Sequence, residues 1–198
     1  MSRWAPDARG RLEDAARELF STQGYEATTV AQIAEHAGLN RATFFRHFAD
    51  KREILFGRED ELAPLFSQAI RAAAPDADVP ACVTTALEAA DQRLTTTERP
   101  MVVLRRRIAD ENPEVRERGL LKIARTNAAV TEALTERGIE DLTARLAAEM
   151  LIMAFSVGLR EWVDAAADGA PFSRYATTAF KAIRERAGRL GDVPALPR

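Results

Sequence analysis

The sequence predicts an all-α protein: a small N-terminal three-helix domain with a helix-turn-helix, followed by a larger helical domain, about nine helices in total. Two observations predict it. Apolar residues recur at helical spacing along almost every segment of the 198-residue chain, and none alternates as a strand would. Within residues 29–48, two short capped segments stand on either side of a single glycine. That is the layout of two helices meeting at a tight turn.

The first helix is predicted from about Asp7 to Thr22. Leu12, Ala15, Ala16, Leu19 and Phe20 form its apolar stripe, Gly24 stops it, and Tyr25 packs back beneath it. Thr29, three residues before Gln32, opens a second helix as a capping box. Val30, Ile33, Ala34 and Ala37 give that helix one apolar side, and Gly38 ends it in the left-handed conformation a tight turn needs. Asn40 caps the third helix. Phe44 and Phe48, four residues apart, bury one of its faces and leave Arg41, Ala42, Thr43, Phe45 and His47 on the other. A helix presented in this way fits the DNA major groove with its first residues at the base edges.

Asp50 and Glu53 form a second capping box, from which a long helix runs from Lys51 to about Ala73, with Pro64 predicting a kink or break. The segment 75–80 reads as a turn-rich connector. Further helices are expected from Pro80 to about Leu94 and from Arg99 to Asp110, with Pro100 in the first turn of the latter. Another opens at Asn112-Pro113 and continues to Arg137. The last two run from about Asp141 to Ala167 and from Pro171 to Leu190, and the tail 191–198, with two prolines, is expected to fray. Domain boundaries follow: 6–66 for the DNA-reading domain, 67–190 for a regulatory and dimerising domain, and 191–198 for a flexible tail.

Composition excludes other classes. The net charge of −2 does not advertise nucleic-acid binding, but a small reading module needs only local positive charge. Between residues 39 and 58, Arg41, Arg46, Lys51, Arg52 and Arg58 stand against Asp50 and Glu53, a local excess of three positive charges. Cys82 is the only cysteine, so there is no intramolecular disulfide and no cysteine-based zinc site, which suits a reduced cytoplasmic setting near the nucleoid. No signal peptide is expected in the first residues, and no apolar run approaches a membrane span. Both histidines, His36 and His47, lie in the N-terminal domain, and no glycine-rich phosphate loop or metal-ligand spacing is present. The reading is of a protein that is not an enzyme and needs no cofactor or metal.

Residues 150–163 carry apolar side chains around nearly the whole helix: a helix of that kind needs cover on both sides. The following helix has a cleaner stripe. Two such helices from each of two copies would form a four-helix interface of two-fold symmetry. The candidate interface residues are Leu151, Phe155, Leu159, Trp162, Phe172, Phe180 and Ile183. Arg105 shares a stripe with Met101, Leu104 and Ile108, and Glu149 sits similarly among Leu146, Met150 and Met153. One reading makes these two charges structural, snorkelling or paired. The other makes Arg105 the receptor of an anionic effector in a pocket of Phe66, Met101, Leu104, Glu149, Phe155 and Trp162.

The stretch from Pro6 to Phe66 resembles the tetracycline-repressor (TetR) family of bacterial one-component regulators. The resemblance rests on the Leu12-Ala15-Ala16-Leu19-Phe20 stripe, Gly24-Tyr25, Thr28-Thr29-Val30, Ile33-Ala34, Gly38-Leu39, Thr43-Phe44-Phe45, His47-Phe48 and Lys51. Residues 112–138 are loosely similar to the subgroup that includes mycofactocin-type regulators. The resemblance implies a homodimeric repressor that binds palindromic double-stranded DNA and is released by a small-molecule effector; the alternative is control by a protein partner or by no ligand. It also implies that Thr29, Thr43, His47 and Lys51 contact phosphates while Arg41 and Ala42 lie nearest the bases. Where the family often has Tyr this chain has Phe45, which loses a hydroxyl contact to phosphate; the ring can still pack on a sugar or a thymine methyl, and Arg46 beside it offers a replacement charge.

Overall fold

The computed structural model describes residues 7–56, 61–165 and 169–189. The expected tail, Pro6 at the start of the expected N-terminal domain, and Arg58 lie outside them. The described residues form ten α-helices and one 3₁₀ turn, and no strand. The helices are α1 (Ala8–Thr22), α2 (Val30–His36), α3 (Arg41–His47), α4 (Glu53–Phe56) and α5 (Leu62–Ala72). They continue as α6 (Val79–Ala89), α7 (Arg99–Glu111), α8 (Pro113–Glu136), α9 (Asp141–Asp164) and α10 (Phe172–Ala187).

The chain divides into two compact units, each discontinuous: Met1–Glu59 with Glu98–Leu121, and Asp60–Thr97 with Lys122–Arg198. A single cut after residue 66 does not describe this division. α5 belongs to the second unit, while α7 and the first turns of α8 belong to the first.

The first unit has one core. Leu12, Ala15, Ala16 and Phe20 of α1 meet Ile33 and Ala34 of α2, Phe44 of α3, Phe48, and Ile54, Leu55 and Phe56 of α4. Met101, Leu104 and Ile108 of α7 and Val115 of α8 complete it. Three helices of this size bury little apolar surface alone, so two later helices supply the missing cover. Gly38 is fixed twice over. Its φ is +65°, and a Cβ there would meet the Arg11 guanidinium, which itself donates to the Ala37 carbonyl at the end of α2.

Pro64 falls in the first turn of α5, so it neither kinks nor breaks a continuous helix. The backbone donor it lacks is one that a first turn leaves without an intrahelical partner. Residues 57–60, between α4 and α5, are outside the described set.

In the second unit, α9 lies on α10 and α6. Its buried row is mostly small: Ala144, Ala147, Ala148, Leu151, Ala154, Gly158 and Trp162. Small side chains let the helices close up, and a Cβ built on Gly158 would stand 2.6 Å from both N and Cα of Ala176. Phe155 packs on Phe66 and Phe172, with ring centroids 5.9 and 5.1 Å away, and Trp162 meets Phe172 edge-on at 6.1 Å. Asp91, in the 3₁₀ turn 90–92, accepts from the Ser173 N–H (2.8 Å) and hydroxyl (2.5 Å) at the start of α10. By length and composition alone α9 is apolar enough to cross a membrane, which the sequence reading did not expect. Its apolar excess is spent partly on this small-residue contact and partly on an exposed row described below.

Candidate nucleic-acid interface

α3 is a seven-residue helix held at both ends by its own sequence. Asn40 Oδ1 accepts from the Thr43 N–H at 2.8 Å, and Phe48 N–H closes the last turn onto Phe44. Phe44 (0% exposed) and Phe48 (2%) root the helix in the core, their rings 5.5 Å apart. The opposite side is free: Arg41, Ala42, Phe45 and Arg46 are all exposed, and Thr43 and His47 are half-buried. α2 ahead of it carries the full capping box that its sequence spells. Thr29 Oγ1 accepts from Gln32 N–H (3.2 Å), and Gln32 Oε1 accepts from Thr29 N–H (2.8 Å).

The sequence-predicted DNA residues thus fall into different chemical situations. Arg41 is exposed, with its guanidinium 6.0 Å from the centroid of the Phe45 ring. The Thr29 hydroxyl proton points to Gln32 Oε1 at 3.0 Å, so a contact with a phosphate, which only accepts, requires that hydroxyl to turn outward. The Lys51 ammonium donates to the Tyr25 carbonyl at 2.8 Å and lies 4.1 Å over the Tyr25 ring. Its position therefore has an internal explanation, and two of its three donors remain for an outside anion. The same contact fixes Tyr25, which tilts against Phe20 at 5.2 Å; burial, with Glu26 and Asp50 nearby, raises the Tyr25 hydroxyl well above its usual range.

His47 is the least satisfied of the set. Its Nε2 is buried without a hydrogen-bond partner, which leaves Nδ1 as the ring nitrogen for an outside group. Burial, and then the charges of Arg46 and Arg9, hold its imidazole below the ordinary histidine range. His36 is exposed, and its ring faces Glu18 at 3.0 Å.

Behind α3, the turn before α4 is built on Asp50. Its Oδ1 accepts from the Glu53 N–H at 2.9 Å, and its Oδ2 accepts from Arg52 Nε (3.1 Å) and Nη2 (2.6 Å). Burial works to raise the Asp50 carboxyl, but these donors and the Arg52 charge outweigh it and hold it below the usual carboxylate range. The Glu53 side chain, 9% exposed, receives Arg118 of α8. α7 and α8 were not expected to join this unit: nothing local in their sequence records a tertiary partner.

The predicted ligand residues do not assemble within one unit. Met101, Leu104 and Arg105 belong to the first, where Met101 and Leu104 are core and the Arg105 guanidinium lies 5.4 Å from the Phe56 ring centroid. Phe66, Phe155 and Trp162 belong to the aromatic cluster of the second. Glu149 is exposed, because α9 turns its alanine row inward and its Leu142–Leu146–Met153 row outward.

The predicted dimer residues also need correction. Leu151, Trp162, Phe172 and Phe180 are at most 5% exposed inside a single chain, so they have no surface left for a partner. Phe155, Leu159 and Ile183 are half-buried. The outward row of α9 is instead Leu142 (71% exposed), Leu146 (59%) and Met153 (54%).

Against known proteins, residues 12–57 match the sequence profile of bacterial regulatory proteins of the tetR family. Over 46 residues the chain is 56% identical to the HTH-type transcriptional regulator TcmR of Streptomyces glaucescens, a match covering 23% of this chain and 20% of that protein. The fold is similar over nearly the whole length to a putative transcriptional regulator from Pseudomonas aeruginosa PAO1, with a TM-score of 0.60, 18% identity and 95% of each chain covered. It is likewise similar to the transcriptional regulator FadR from Bacillus subtilis in complex with stearoyl-CoA, with a TM-score of 0.59, 19% identity, and 88% of this chain and 96% of that one covered.

Proposed function

We propose that this chain, whose residues 12–57 match the profile of tetR-family regulatory proteins, is a transcriptional repressor which binds a palindromic operator as a homodimer. One observation carries the reading: a doubly capped helix, rooted by Phe44 and Phe48, holds Arg41, Ala42, Phe45 and Arg46 out to solvent. Arg41 and Ala42 lie at the N-terminal end, where a recognition helix meets base edges. Arg donates bidentately to guanine, and Ala touches a thymine methyl. Thr29, Thr43, Arg46, His47 and Lys51 supply the contacts to phosphates that set position rather than sequence. The chain acts as a regulator and not as an enzyme, in the bacterial cytoplasm.

The second copy covers the outward row of α9. Leu142, Leu146 and Met153 are three large apolar side chains on one side of one helix, and Arg145 and Glu149 on the same side carry opposite charges. A two-fold axis through such a row sets each charge near its opposite.

A small-molecule effector releases the DNA. The FadR neighbour was solved with stearoyl-CoA, so a long-chain acyl thioester is the first ligand class to try. Stearoyl-CoA that binds the folded chain raises its melting temperature by linkage. Mapping genomic sites occupied by the wild type and by Arg41→Ala tests the DNA reading. Discrete wild-type sites that the variant loses support it; no enriched site for the wild type overturns it.

A further inference from the structure

Phe45 is half exposed, at 50%, on the face that meets DNA, although burial is the usual state of a phenyl ring. It is not loose. Its ring stands edge-on to Phe44, at 81° and 5.5 Å, and Phe44 is fully buried. Arg41, one turn earlier, holds its guanidinium 6.0 Å from the Phe45 centroid, at the outer reach of a cation–π contact. A cation and an apolar ring are thus presented side by side on one face of α3.

The phenyl ring has no group that donates to a phosphate. What it offers is apolar surface, and the apolar group that the major groove presents is the C5-methyl of a pyrimidine. The guanidinium beside it matches guanine O6 and N7. A spacing near 6 Å against a base rise of about 3.4 Å sets the two targets within two base pairs of each other.

We propose that Arg41 and Phe45 act as one reading unit for a guanine and a nearby 5-methylpyrimidine, with Phe45 a specificity-determining residue. This rests on the DNA-binding reading above. Thymine and 5-methylcytosine share the methyl group, so either satisfies Phe45, whereas uracil and unmethylated cytosine do not.

The test uses the full chain and a duplex enriched from a randomised library. The duplex is rebuilt with deoxyuridine in place of thymidine, one position at a time, and affinity is read by fluorescence anisotropy. At one position within two base pairs of the guanine whose replacement Arg41→Ala no longer senses, loss of the methyl weakens wild-type binding about threefold to fivefold. 5-Methylcytosine there binds better than cytosine. Phe45→Ala binds thymine and uracil duplexes equally and keeps its guanine preference; Phe45→Leu retains part of the discrimination. Uracil tolerated at every position, with the guanine preference intact, overturns the unit and leaves DNA binding standing. A library from which nothing is enriched overturns both.

Discussion

Arg118 donates to Glu53 Oε2 through both Nε, at 2.9 Å, and Nη2, at 2.5 Å, and so joins the second turn of α8 to the first residue of α4. The two residues are 65 positions apart in sequence but lie in the same compact unit. Nearby, Arg52 reaches Glu114 at 3.6 Å, and the Phe56 ring packs 3.6 Å from where a Cβ of Gly119 would stand. Glu53 is nearly enclosed while Arg118 keeps about a quarter of its side chain in water. Arg118→Ala should therefore cost about 1–3 kcal/mol, below the full penalty for stranding a buried charge. Urea unfolding of the variant measures it, and Arg118→Lys, which keeps the charge but not the paired donors, should fall between.

Gly158 owes its identity to Ala176. A Cβ on Gly158 meets backbone atoms, which cannot rotate aside as a side chain does. Alanine is the better helix former by about 1 kcal/mol, yet overpacking at such a crossing costs about 1–3 kcal/mol. Gly158→Ala should lower the urea midpoint. A variant as stable as the wild type would mean that α9 and α10 separate easily.

His47 predicts a pH dependence whose sign can be worked out. Its imidazole in the free protein sits below 6.5, chiefly because it is buried, so near pH 7 it is neutral. In folding, a lowered histidine pKa means that the unfolded chain binds more protons, so this group costs stability as pH falls below about 6.5. DNA binding has the opposite sign. A phosphate beside the ring raises its pKa, so binding takes up a proton, and affinity rises as pH drops from about 7 toward the free-protein value. Anisotropy titrations at constant ionic strength should find this rise in the wild type and not in His47→Asn. The same slope in both would remove His47 from the phosphate contacts.

The α9 row makes a prediction about assembly. Leu146→Asp and Met153→Asp should each shift the sedimentation of the chain toward a monomer while leaving that monomer folded, since both side chains are exposed in the single chain. α8 exposes Leu120, Leu121 and Ile123 as well, so Leu120→Asp is the matched control. If Leu120→Asp alone gave monomers, the two-fold contact would lie on α8.

What the sequence made legible was short in range. The Thr29–Gln32 box, the Asn40 cap and Gly38 are interactions within a few residues, and each forms as its spelling implies. What it hid was tertiary. The apolar circumference of α9 says that both sides need cover, but not which side faces its own chain. The alanine row went inward because Gly158 and Ala176 allow a closer approach than leucines do, and that choice left Leu146, Glu149 and Met153 outside. Arg105 was legible as a charge on an apolar stripe, while its neighbour Phe56 comes from a helix some fifty positions earlier. Pro64 marked a helix start rather than a kink, a distinction that depends on where the preceding helix ends.

The central claim, a dimer that reads DNA through two copies of α3, is tested most directly by selecting binding sites for the full chain from randomised duplexes. The account predicts two inverted half-sites, each with a guanine contacted by Arg41, their centres one helical turn (about 34–36 Å) or a multiple of it apart. Selection of a single unpaired half-site, or of no sequence at all, would contradict it.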